Sequence, residues 1–210
     1  MSDFTKELYI KMLTLAADKI AEEHEGLSKL DAATGDGDHG VTIHRTMKAV
    51  KEAAAAASEK PLADLAKDVA MKVMMCDGGS TSPLLGSYIM GFGNAAPADT
   101  LNAEQTACFF EAALTNFFGI SKAELGDKTM MDAMRPATET LAKELRAGSD
   151  LTKSFNAAAQ AAAEGAEKTK DYVAKFGRAR TMGERAIGHQ DAGATSISYI
   201  WGAFAQACNG

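Results

Sequence analysis

Proline stands at only four of 210 positions: 61, 83, 97 and 136. The chain between them is free to run in long helices, because Pro is the residue that most firmly ends one. Alternating apolar and polar runs bounded by turn residues, the mark of half-buried strands, are absent. Apolar residues recur instead at helical spacing. Leu8, Met12 and Leu15, closed by the stem of Lys19, predict a first helix over Asp3 to Glu25. A second follows Asp38, which can cap it, and carries Val41, Met47 and Val50. Pro61 opens a third with Leu62, Leu65, Val69 and Val73 on one stripe. Further helices are expected over Thr81 to Gly93, Asn102 to Phe118, Asp127 to Ala147 (interrupted or bent at Pro136), Leu151 to Ala174 and Asp191 to Cys208. The stretch from Ala95 to Thr100 reads as a loop within one domain. The fold class is all-α: a single domain over residues 1–210, built as an antiparallel eight-helix bundle or barrel.

Composition narrows the function. Lys and Arg total 22 against 28 Asp and Glu, a formal charge of −6. Nucleic-acid binding needs basic surface and is not expected. Cys76, Cys108 and Cys208 are widely separated and odd in number, which argues against a disulfide framework or a zinc ribbon. Neither a leader peptide at the N-terminus nor an apolar run of ~18 residues is present, so a cytoplasmic protein with no membrane segment is expected.

The glycines cluster, and clusters in a helical chain mark sharp loops or close backbone approach. Gly35, Gly37 and Gly40 formally satisfy G-x-G-x-x-G, but no convincing strand precedes them and Asp36 and Asp38 would repel a pyrophosphate. An EF-hand fails too, because its sixth and twelfth positions would be Val41 and Met47. Asp31, Asp36 and Asp38 remain as three hard-oxygen groups in one short stretch. Each alone reads as a turn or cap residue. Taken together, with three glycines and His39, they read as Mg²⁺ ligands, since a divalent ion removes the penalty of converging carboxylates.

Gly78-Gly79-Ser80-Thr81 precedes an apolar helix. It is equally a flexible turn with a Ser/Thr cap, or an anion site of helix-start amides. Gly126 to Asp132 is another loop-to-helix junction, in which Asp127 can cap and Met131 is core or an adaptable surface for a flat ring. Arg178, Arg180 and Arg185 are each ordinary surface charge taken singly, but Arg is also the natural phosphate clamp. His189 alone reads as structural. No Walker motif and no nucleophile elbow is present.

Together, Gly-Asp-Gly-Asp-His-Gly, Gly-Gly-Ser-Thr-Ser-Pro, Gly-Asp-Lys-Thr-Met-Met-Asp and Gly-Glu-Arg-Ala-Ile-Gly-His-Gln-Asp-Ala-Gly-Ala-Thr-Ser resemble the L subunit of dihydroxyacetone kinases, in order and spacing, over essentially the whole chain. The resemblance implies an eight-helix barrel binding ADP or ATP at one end through two Mg²⁺. It implies Asp31, Asp36 and Asp38 as metal ligands. It implies nucleotide contacts at His39, Gly40, Val41, Thr42, Gly78, Gly79, Ser80, Thr81, Ser121, Met131, Arg178, Asp191, Ala192 and Gly193. Arg178 would also offset charge in the transition state. Ala192 stands where Pro can occur in the family, and Ser80-Thr81-Ser82 where smaller residues can follow the glycines. Neither change removes a charge or a ligand.

The implied reaction is shared between proteins. This subunit holds the phosphoryl donor, and a K subunit holds dihydroxyacetone on its own histidine, so the L subunit alone lacks complete kinase activity. A phosphotransferase-system protein is a further implied partner, and a homodimer is compatible with the family. Two alternatives stand beside this reading: the same chemistry on another short ketose such as erythrulose, and a non-catalytic helical adaptor whose loops are only caps and turns.

Overall fold

The structure is a computed structural model that describes residues 3–209. Met1 and Ser2, which begin the stretch read for a leader, and Gly210 lie outside the described residues. Eight α-helices follow in order: α1 Lys6–Ala32, α2 His39–Ala56, α3 Leu62–Met74, α4 Thr81–Ala95, α5 Ala103–Ser121, α6 Met131–Arg146, α7 Leu151–Lys168 and α8 Ala192–Cys208. Two-residue strands β1 (Phe4–Thr5) and β2 (Thr100–Leu101) pair antiparallel, Phe4 opposite Leu101. β2 falls at the end of the stretch expected as a loop, and β1 occupies the start of the expected first helix, which begins at Lys6 instead.

Each helix packs on its predecessor and its successor, and α8 packs on α1, so the helices close into a ring. Short connections make neighbours antiparallel. The loops after α1, α3, α5 and α7 therefore gather at one end, and these four loops carry the four glycine motifs. At the other end Phe4 is fully buried. Its ring centroid lies 5.7, 6.0 and 6.3 Å from those of Phe109, Phe110 and Phe155. The apolar cavity inside the ring, bordered by Leu13, Met47, Tyr88 and Trp201, measures about 30 Å³. That is room for about two waters, so the chemistry belongs to the loops.

Several boundaries differ from expectation for local reasons. α1 continues past Glu25 to Ala32, because Leu27 is buried against the core and the turn holding Asp31 stays hydrogen-bonded. Its core face runs through Tyr9, Met12, Leu13, Ala16 and Ile20; Lys19 lies outside it, paired with Glu23 at 2.7 Å. α6 begins at Met131 rather than Asp127. The Asp132 carboxylate accepts the Gly126 and Thr129 amides at 2.6 and 2.8 Å, which folds 126–130 into turns. Asp127 instead accepts the Glu124 amide at 2.8 Å. α6 then runs through Pro136 uninterrupted. Pro136 has no N–H to give the Asp132 carbonyl four residues back. Gly165 of α7 packs on that carbonyl so closely that a Cβ there would lie 2.0 Å from it. α7 stops at Lys168, where Thr169 Oγ1 turns back to Ala166 O and a single 3-10 turn, Thr169–Asp171, leads the chain away.

Candidate functional site

The end of α1 and the start of α2 bring Asp31, Asp36 and Asp38 together, one ligand oxygen from each lying within 4.8 Å of the others. The local hydrogen bonds explain why these oxygens are available. Asp38 occupies the cap position of α2 but makes no capping bond. The His39 amide is accepted instead by Asp31 Oδ2 at 3.2 Å, reaching across the loop. A Cβ at Gly35 would lie 2.7 Å from Asp31 Oδ1, so glycine there lets the loop fold onto the carboxylate. Desolvation, then the neighbouring Asp36 and Asp31 charges, raise the Asp38 pKa above the ordinary carboxylate value. Three hard oxygens whose mutual repulsion a cation would relieve are a donor set that fits Mg²⁺.

Arg178 lies in the segment between α7 and α8. Its Nη2 pairs with Asp36 Oδ2 at 2.8 Å, although these residues are far apart in sequence. His39 Nε2 sits 3.1 Å from Ser196 Oγ on α8. Ser196 already donates to Gly193 O at 2.8 Å, which makes His39 Nε2 the donor of the pair. Desolvation holds the His39 pKa below its ordinary value, so the ring is neutral near pH 7. This chain of bonds ties the acidic loop to Asp191, Ala192 and Gly193, where the Asp191 carboxylate caps α8 through the Ala194 amide at 2.7 Å.

The Gly78–Thr81 loop is held from α2. Thr46 Oγ1 donates to Thr42 O at 2.9 Å and lies 3.0 Å from Ser82 Oγ, while Arg45 pairs with Asp77 at 3.2 Å. A Cβ at Gly78 would sit 2.1 Å from Ser82 Oγ and 2.4 Å from Thr46 Oγ1. Gly79 adopts a φ of +56° with open space around it. Ser80 occupies the cap position of α4 without a capping bond. Of the first α4 amides, that of Thr81 donates to Gly78 O at 3.1 Å and Pro83 has none, which leaves the Ser82 amide uncapped at the helix start.

Not every expected residue faces this end in the way the sequence suggests. Met131 is 1% exposed and belongs to the core. Its neighbour Met130, 7% exposed and in the same core, lies against Gly193, where a Cβ would be 3.0 Å from Met130 Cγ. Gly40 is buried on α1, where a Cβ would meet His24 O at 1.8 Å, so its small size serves helix packing. Val41 is 52% exposed and not part of the core. Ser121 closes α5, accepting the Ala123 amide at 3.3 Å, and no hydrogen bond among the described residues joins it to the acidic loop. Sequence reasoning missed Met130, Arg45, Thr46, Ser196 and Lys128. Lys128 and Met130, inside Gly126 to Asp132, and Ser196, which ends Gly-Ala-Thr-Ser, stood in segments already singled out; Arg45 and Thr46 did not.

Fold and site together define a class: an all-helical ring carrying, on the loops of one end, a carboxylate cluster beside glycine-rich helix starts and an arginine. The chain belongs to the DAK2 domain family, whose pattern matches residues 33–206. It is 33% identical over 203 residues, 97% of each chain, to the ADP-binding subunit DhaL of PEP-dependent dihydroxyacetone kinase 1 from Listeria innocua. It is 36% identical over 185 residues to D-erythrulose kinase of Mycolicibacterium smegmatis, covering 87% of this chain and 32% of that protein. The crystal structure of the C. freundii dihydroxyacetone kinase in complex with AMP-PNP and Mg2+ superposes with a TM-score of 0.73 at 25% identity, over 98% of this chain and 35% of that one. The chain thus spans about a third of the length of these larger kinases.

Proposed function

We propose that this chain is the nucleotide- and Mg²⁺-binding phosphoryl-donor subunit of a dihydroxyacetone kinase. The observation that carries the reading is the convergence of Asp31, Asp36 and Asp38 with no helix-capping bond made by Asp38. In this reading the three aspartates hold two Mg²⁺, which when bound neutralise phosphate charge. The Gly78–Thr81 loop and the Ser82 amide at the start of α4, with His39 to Thr42, take the phosphate oxygens. Met131, with Met130 beside it, and Asp191 to Gly193 border the base, and Ser121 lies at the rim. Arg178, which pairs with Asp36, would be free to turn toward phosphate where Mg²⁺ offset that carboxylate's charge, and there it would stabilise charge in the transition state.

In this reading the ketose sits on a separate K subunit, so no base for its hydroxyl need be present in this chain, which acts only with that partner. The Listeria relative's PEP-dependent naming favours a phosphotransferase-system protein as phosphoryl source over exchange of free ATP. The similarity to D-erythrulose kinase supports a second reading, the same donor chemistry serving a four-carbon ketose.

Titration calorimetry with ADP tests the core of this proposal. Binding is expected only with Mg²⁺ present, and Asp36→Asn should weaken it by about a hundredfold or more. Metal-independent binding, or an Asp36→Asn variant matching wild type, overturns it. The reconstituted pair, supplied in turn with ATP and with phosphotransferase components on a small ketose panel, identifies donor and acceptor.

A further inference from the structure

Lys128 is 2% exposed, and its ammonium is spent entirely inside the protein. It sits in the turn before α6 at a φ of +60°, a strained conformation for a residue with a side chain. Nζ donates to two backbone carbonyls, Thr169 O and His189 O, each at 2.5 Å. These carbonyls are the two ends of one excursion of the chain, which leaves α7 at Thr169 and returns to α8 at Asp191. Two further bonds close the same neck: Gly188 N–H to Lys170 O at 2.7 Å and Asp191 N–H to Thr169 Oγ1 at 2.9 Å.

Between the ends of the neck the segment is weakly held. Among the described residues, the hydrogen bonds and ion pairs from 173–187 to residues outside the 169–191 loop are those of Lys175 with Asp127 and of Arg178 with Asp36. Gly177 and Gly183 both have positive φ, and Phe176 and Ile187 are exposed. Where Arg178 can reach is therefore set by where the neck is pinned. An ammonium suits that role, since one buried group bonds two carbonyls with charge-assisted strength and a neutral side chain of the same length would leave both unpaired.

We infer that Lys128 is a positioning residue: it pins the neck of the 169–191 loop and thereby holds Arg178 over the aspartate cluster. The inference rests on the proposed phosphoryl-donor reading for its consequence, but not for its geometry. Two readouts keep these apart. The first is limited trypsin digestion, with cleavage positions found by mass spectrometry. Lys175, Arg178, Arg180 and Arg185 all lie within the loop. In Lys128→Met, cleavage there should rise about tenfold or more relative to cleavage elsewhere in the chain. Thr169→Val, which removes another neck bond without stranding an ion, should move the ratio the same way and carries both readouts if Lys128→Met does not fold. An unchanged ratio overturns the inference.

The second readout is Mg·ADP affinity in a double-mutant cycle. Lys128→Met should weaken binding about tenfold in the wild-type background and hardly at all in Arg178→Ala. A loss of equal size in both backgrounds shows Lys128 acting independently of Arg178 and overturns the inference. If wild type binds no Mg·ADP, the donor reading fails, and the protease ratio alone decides the neck.

Discussion

Asp191 caps α8, and a cap is strongest when charged. Yet desolvation pushes its pKa up to about 6, with the Asp132 and Asp31 charges adding to the rise and only the Ala194 amide and Lys128 opposing it. A carboxyl raised from 3.8 to about 6 binds its proton more tightly in the folded chain than in the unfolded one. Its contribution to stability is then fully present below pH 3.8 and lost as pH rises through about 6. Asp191→Asn keeps an oxygen for the cap and removes the titration. Relative to wild type, the variant should gain on the order of 1–2 kcal/mol as pH rises across that window, after discounting for partial solvent access. Melting temperatures measured in parallel at several pH values check it; a constant difference between the two proteins rejects it. The aspartate cluster was legible from sequence because three carboxylates with glycines in one short stretch have few other uses. Lys128 was not, because its partners are carbonyls 41 and 61 residues further on, and no local pattern marks them. The contact of Met130 with Gly193 was equally hidden. It depends on where α6 begins, and that is fixed by the Asp132 carboxylate.

Helix against helix, contact depends on missing side chains. Gly165 of α7 lies on the Asp132 carbonyl that Pro136 leaves without a helical partner, so two residues that weaken a helix in isolation cooperate in a tight crossing. Gly165→Ala would place a Cβ 2.0 Å from backbone that cannot swing aside. It should cost about 2–3 kcal/mol or more and loosen the Asp132-bound turn with it. Gly119 in α5 has nothing within 4 Å, so Gly119→Ala should be neutral or gain up to about 1 kcal/mol. Denaturant melts of the pair make the comparison, and similar losses in both would contradict it. Helix order and most helix starts followed from Pro, Asp and Asn positions. Helix ends did not. α1 passes Gly26 because Leu27 has a buried place to go, and α7 stops at Thr169 because its hydroxyl serves the neck. Both are tertiary facts.

For the whole molecule, the formal charge of −6 takes on meaning at the site end. Part of that negative charge is concentrated where a polyanion is proposed to bind, and a divalent cation is what reconciles the two. Mg·ADP at 100 times its dissociation constant should add about 2.7 kcal/mol, or about 5–10 °C in melting temperature for a chain of this size. ADP with a chelator should add nothing. Absence of a Mg-dependent shift would favour the adaptor reading. The sequence left bundle or barrel open, since closure depends on α8 meeting α1 across nearly the full length of the chain.

That closure carries one more consequence. Lys11 Nζ on α1 bonds the Ala207 carbonyl of α8 at 3.0 Å, so residues near the two ends of the described chain are neighbours, on the side of the ring away from the aspartates. The order of helices around the ring is cyclic, and the order along the chain is one of several ways to read it. A circular permutant that joins the two chain ends beside this pair by a short linker and opens the turn at 147–150 should fold to the same ring with the four glycine loops unbroken.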